Sequence, residues 1–187
     1  MRWPVFIIIA LTMLVLEKGL RGLLGIPGAF GVSPSFLLPL AVFVALSTSR
    51  GAAMWAALFL GLLVDLTADM PLGSACLGYL AAALVTFELR GLVFRDSPLA
   101  IALMVFAAGI VAHLVIVALV TLRGAAWLPA DALVDWYASE QFVRRFFVVL
   151  YSAALALPLG TVFVWLDPLW GFDHHATGAH PRRKRIT

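Results

Sequence analysis

Residues 99–122 read LAIALMVFAAGIVAHLVIVALVTL, a run from Leu99 to Leu122 with no charged residue and His113 as its main polar interruption. A bilayer core of about 30 Å takes about 20 helical residues, so this run predicts a membrane-spanning helix. The rest of the chain agrees. Of its 187 residues, 63% are hydrophobic and 12% charged, against about 45–50% and about 25% in ordinary soluble domains. The mean hydropathy is +1.04. Such a composition leaves too little polar surface to face water, and the fold class it predicts is an all-α integral membrane protein.

Outward from Leu99, further apolar runs follow one another between short polar breaks. Trp3 to Leu16 is read as an uncleaved first span rather than a signal peptide, because no A-x-A site follows it. Gly19, Gly22, Gly25, Gly28 and Gly31 then recur every third residue, too dense for a stable helix, and predict an irregular apolar loop. Phe30 to Leu46 contains Pro34, suited to a helix start, and Pro39, expected to kink it. Ala52 to Leu66 carries Asp65 near its end. These two runs are short, and a re-entrant hairpin is an alternative to two full spans. Leu72 to Phe87 precedes the 99–122 run. Phe146 to Leu166 follows it, with Pro158 and Gly160 as an expected kink. The sum is about six spans in a membrane domain over residues 1–172, then a basic tail over residues 173–187.

An even number of spans puts both termini on one side. That side collects Arg2, Arg50, Arg90, Arg95 and the four tail cations, leaving Lys18, Arg21, Arg123, Arg144 and Arg145 opposite. The excess favours cytoplasmic termini. The net charge of +3 would also suit nucleic acid, but the cations sit in short clusters between apolar runs, as topology requires, so no nucleic acid is expected. One cysteine, Cys76, excludes a disulfide framework and a cysteine zinc cluster.

Asp65 stands out because an ionisable group within an apolar run marks by default a functional site with a partner. The alternative puts Asp65 and Asp69 at the water interface, with Asp69 capping a helix that begins at Pro71. His113 reads as a hydrogen-bonded packing residue, and pairing it with Ser74 as a protease finds no supporting motif. The small residues at 74, 75, 78, 81, 82 and 83 predict close helix contact. His174, His175 and His180 lie in a Gly-containing tail, where their spacing is weak evidence for a metal. Neither a P-loop, a GxGxxG nor an HExxH is present, so no cofactor and no enzymatic activity is expected. Residues 129–142 predict an interfacial helix, with Asp131, Asp135, Trp136 and Tyr137 as an outer partner surface. Arg182, Arg183, Lys184 and Arg185 suit anionic lipid, at about 1 kcal/mol for each cation near the surface.

The stretch Gly61-Leu62-Leu63-Val64-Asp65-Leu66-Thr67-Ala68-Asp69-Met70-Pro71-Leu72-Gly73 resembles the bacterial rod shape-determining protein MreD family. There a helix ending in G-L-x-x-D is followed by a polar turn and P-L-G. Glu88-Leu89-Arg90 and Phe94-Arg95-Asp96-Ser97-Pro98 extend the resemblance. It implies a non-enzymatic scaffold of the cell-wall elongation machinery. Its partners would be MreC and, through it, RodA, a class B penicillin-binding protein and MreB. It also implies a six-helix fold like the substrate-binding subunits of energy-coupling-factor transporters. Asp65, Pro71, Leu72 and Gly73 are the motif positions, and Asp65 would accept hydrogen bonds within the bundle or from a partner. The competing hypothesis is a substrate-binding subunit of a vitamin-type transporter. Such a site needs converging polar groups, for which the sequence offers mainly Asp65, Thr86, Glu88 and His113.

Overall fold

A computed structural model describes residues 2–24, 32–68, 72–92, 97–127, 138–166 and 170. Every regular element among them is helical: α1 (Trp3–Gly19), the short α2 (Arg21–Leu24), α3 (Leu37–Ser47), α4 (Arg50–Thr67), α5 (Ser74–Leu89), a 3-10 turn at Arg90–Leu92, α6 (Pro98–Trp127) and α7 (Ala138–Trp165). Among the described residues, three segments are long and apolar enough to cross a bilayer: Arg50–Thr67, Leu99–Leu122 and Phe142–Trp165. Many large apolar side chains face outward, among them Val15, Trp55, Leu66, Leu103, Leu122 and Trp165. In water that exposure would be an aggregation hazard, whereas in lipid it is the solvated surface. The chain is an all-α membrane bundle.

Successive long helices alternate in direction. Lys18 at the end of α1 donates to the Thr67 carbonyl at the end of α4, 2.9 Å away, and Ser35 ahead of α3 donates to Glu17 at 3.0 Å. At the opposite end Arg90 reaches the Thr48 carbonyl at 3.2 Å, and Arg50 lies 3.8 Å from Glu88. There too the Arg2 amide donates to the Trp170 carbonyl at 3.0 Å. Of the two groups of cations sorted from the sequence, Arg2, Arg50 and Arg90 thus share one end, and Lys18, Arg21, Arg144 and Arg145 share the other.

The core is organised around α3. This helix has 11 residues, of which Leu37 to Leu46 are all buried, and at 1.5 Å per residue it is about 16 Å long. It is apolar all round, as a helix enclosed by others must be, and α1, α4, α5, α6 and α7 all pack on it. Near its end Phe43 meets Phe163 of α7 at 5.2 Å and Trp170 at 5.7 Å between ring centroids. Close approaches elsewhere rest on small residues. At Gly78 an added Cβ would lie 2.7 Å from Ile116 and 2.9 Å from the Ala112 carbonyl, so α5 and α6 pack nearly backbone to backbone. Ser74, Ala75, Ala82 and Ala83 are buried alongside it, as the small-residue pattern predicts.

Three expectations need correction. Pro39 does not kink a helix that began at Pro34: α3 starts at Leu37, which places Pro39 in the first turn, where a missing N–H costs no intrahelical bond. The helix after the Asp65 turn starts at Ser74 rather than Pro71, with Gly73 in the cap position and no side-chain cap of its own. The last span starts at Ala138, eight residues ahead of Phe146. It therefore absorbs the end of the expected interfacial helix, whose residues 129–137 lie outside the described residues.

Candidate functional site

Among the described motif residues, Gly61, Asp65 and Gly73 meet at one junction between α4 and α5. Gly61 and Asp65 are four apart, so they lie on the same face of α4. At Gly61 that face touches bare backbone: a Cβ there would sit 2.5 Å from Cys76 Cα and 2.8 Å from the Ala75 carbonyl oxygen. The contact brings Asp65, one turn on, within reach of the α5 N-terminus. Its Oδ2 accepts from the Gly73 amide at 2.9 Å and the Cys76 amide at 3.1 Å. Its Oδ1 accepts from the Ala75 amide at 2.9 Å and the Ser74 hydroxyl at 3.4 Å. These are amides that a helix start leaves without acceptors, and a carboxylate also complements the positive end of the helix dipole. Gly73 has φ 92°, a left-handed conformation that glycine adopts without a Cβ penalty, and it cannot cap the helix itself. Asp65 does so from the neighbouring helix.

Asp65 is only 3% exposed, so its carboxylate is enclosed by the bundle. Its partner is the α5 N-terminus of the same chain. Ser74 is bonded to Asp65, not to His113. Leu72 is exposed; Asp69 and Pro71 lie outside the described residues. So do Asp131, Asp135, Trp136 and Tyr137, the tail histidines, and Arg182, Arg183, Lys184 and Arg185.

The same device recurs one helix pair earlier, at a glutamate that no sequence pattern marks. Glu17 Oε2 accepts from the Phe36 amide at 2.8 Å, the Leu37 amide at 3.3 Å and the Ser35 hydroxyl at 3.0 Å. The α3 N-terminus has no side-chain cap of its own. The Ser35 amide donates to Ser152 Oγ of α7 at 2.8 Å, and Ser35 Oγ lies 3.3 Å from the Tyr79 hydroxyl. Glu17→Gln keeps an acceptor but loses its charge, and a hydrogen bond to a charged group contributes about 1 kcal/mol more than a neutral one. The variant is expected to melt a few degrees lower in mild detergent, by circular dichroism, and a midpoint equal to the parent's would deny the cap its role.

Between these two caps lies a cavity of about 350 Å³. Its lining includes Glu17, Lys18, Arg21, Ser35, Tyr79, His113, Arg144 and Arg145, with Val64, Ala75, Ile116 and Val148 as apolar wall. Polar groups therefore do converge in the bundle, but they are not the four expected. Of those, His113 alone is here. Asp65 is engaged at the junction, the Thr86 hydroxyl donates to the Ala82 carbonyl of its own helix at 2.8 Å, and Glu88 is exposed at the opposite end. His113 is half-buried rather than sealed in packing, and its Nδ1 is buried with no hydrogen-bond partner among the described residues. Sequence reasoning treated Lys18, Arg21, Arg144 and Arg145 as flanking charges. Their grouping beside the first and last hydrophobic runs was the available signal.

Compared with protein-family models, curated proteins and solved structures, the chain matches none.

Proposed function

We propose that this chain is a non-enzymatic membrane scaffold of the bacterial cell-wall elongation machinery, of the MreD type. In this reading it sits in the cytoplasmic membrane with both termini inside and binds MreC. Through MreC it is linked to RodA, a class B penicillin-binding protein and MreB filaments. The observation that supports it is the α4–α5 junction. Gly61, Asp65 and Gly73, three fixed points of the resembling motif, each serve one helix junction. The motif is then a physical unit and not a by-product of apolar composition. In the cytoplasmic-termini orientation the cavity end lies on the extracytoplasmic side.

The test is a tagged pull-down of the whole chain in mild detergent from its native host, with partners identified by mass spectrometry. Recovery of MreC with RodA or its transpeptidase is the expected result. Recovery of an ATPase and a membrane coupling subunit instead would overturn the scaffold reading.

That second outcome belongs to the vitamin-transporter reading, which the cavity favours. Its volume of about 350 Å³ falls within the range of about 300–1,000 Å³ usual for small-molecule sites. Saturable thermal stabilisation by a vitamin would mark that function.

A further inference from the structure

Charge around the cavity is lopsided. Among the described lining residues, Lys18, Arg21, Arg144 and Arg145 are cationic and Glu17 is the one carboxylate. Glu17 is already committed, since its Oε2 takes the two α3 amides and the Ser35 hydroxyl. Like charges gathered at one concavity raise the local potential and draw anions towards it. Arg145 is 9% exposed, and it belongs to the apolar window Phe142–Trp165. A guanidinium there faces the bundle interior or a water-filled cavity. His113 adds a buried ring nitrogen without a hydrogen-bond partner among the described residues, and Ser33, Ser35 and Tyr79 add hydroxyls. Forked guanidiniums beside an ammonium and neutral donors are the chemistry that recognises phosphate oxygens.

We propose that this cavity binds a phosphate-bearing group, either the headgroup of an anionic membrane lipid or a free phosphate compound. Lys18, Arg21, Arg144 and Arg145 supply the charge, and His113 a further polar contact. The volume accommodates a phosphorylated headgroup and leaves acyl chains outside, against the exposed apolar surface of the bundle. The inference concerns what the cavity holds and does not depend on the scaffold reading.

The full chain, purified in a neutral detergent, is titrated with inorganic phosphate at constant ionic strength, with thermal unfolding as the readout. It is titrated in parallel with mixed micelles containing phosphatidylglycerol, and with phosphatidylcholine as the zwitterionic control. A saturable rise in midpoint is expected, weakened about tenfold in affinity by Lys18→Gln or Arg21→Gln, each of which removes one charged contact. Arg50→Gln, at the other end of the bundle, should leave it unchanged. Stabilisation by phosphate identifies a free anion as sufficient. Stabilisation by phosphatidylglycerol alone assigns the site to a lipid headgroup. No stabilisation by either, or an effect reduced equally by Arg50→Gln, overturns the proposal.

Discussion

Asp65→Ala is expected to destabilise the bundle by about 3–5 kcal/mol, because it strips the first α5 amides of their acceptor. The carboxylate accepts from three backbone amides at 2.9, 2.9 and 3.1 Å. Alanine leaves them without an acceptor, at about 1–3 kcal/mol for each buried group left unpaired. Relaxation of the first α5 turn and water reaching it from the cavity side keep the total below that sum. Asp65→Asn preserves one oxygen and should lie between alanine and the parent. The check is the unfolding midpoint in mild detergent together with the amount of protein in the membrane. An alanine variant that melts with the parent would show that the cap contributes nothing. A partner lost by Asp65→Asn at full stability would instead move the residue's role from the bundle to the partner.

Gly61→Leu should be comparably severe, for a steric reason with the same outcome. The atoms nearest an added Cβ are Cys76 Cα, Ala75 O and Cys76 N at 2.5–2.8 Å. All three are backbone, so no rotamer change relieves the clash, and α4 must move off α5. Overpacking alone costs about 1–3 kcal/mol, and the displacement also withdraws Asp65 from its amides. Gly61→Ala tests the coupling more gently. Combined with Asp65→Ala it should cost less than the two separately, because neighbouring sites sharing one interaction are not additive. Full additivity in a double-mutant cycle would separate the packing role from the capping role. Alanine at Gly51, where nothing lies within 4 Å of the added atom, is the matched control.

What the sequence disclosed depended on how local each cause was. The Leu99–Leu122 helix was legible because a continuous apolar run sets it without help from elsewhere. The start of α3 was not. Its first amides are satisfied by Glu17, some twenty residues earlier, so Pro34 looked like the better start. Asp65 was legible as a costly ion in an apolar run, but not its partners: the α5 amides that compensate its burial lie beyond the turn. The cavity was illegible for a similar reason: Lys18, Arg21, His113 and Arg145 come from three hydrophobic runs, and their convergence is a property of packing alone.

The enclosure of α3 has a consequence for biogenesis. Eleven residues are too few to cross a bilayer unaided, since a span needs about 20. So short a helix is also marginally stable alone, and Ser33 to Ser35, ahead of it, have no helical hydrogen bonding of their own. Non-helical backbone survives at membrane depth only where protein surrounds it. The translocon therefore cannot deliver α3 as a finished span when it emerges. It is completed after α6 and α7 exist to close over it. A cysteine placed at Ala41 should react with a water-soluble maleimide in nascent chains truncated before α6 and become protected once α7 is made. Early protection would mean that the hairpin with α4 suffices. Protection gained only with α7 would make α3, one of the first segments synthesised, the last to fold.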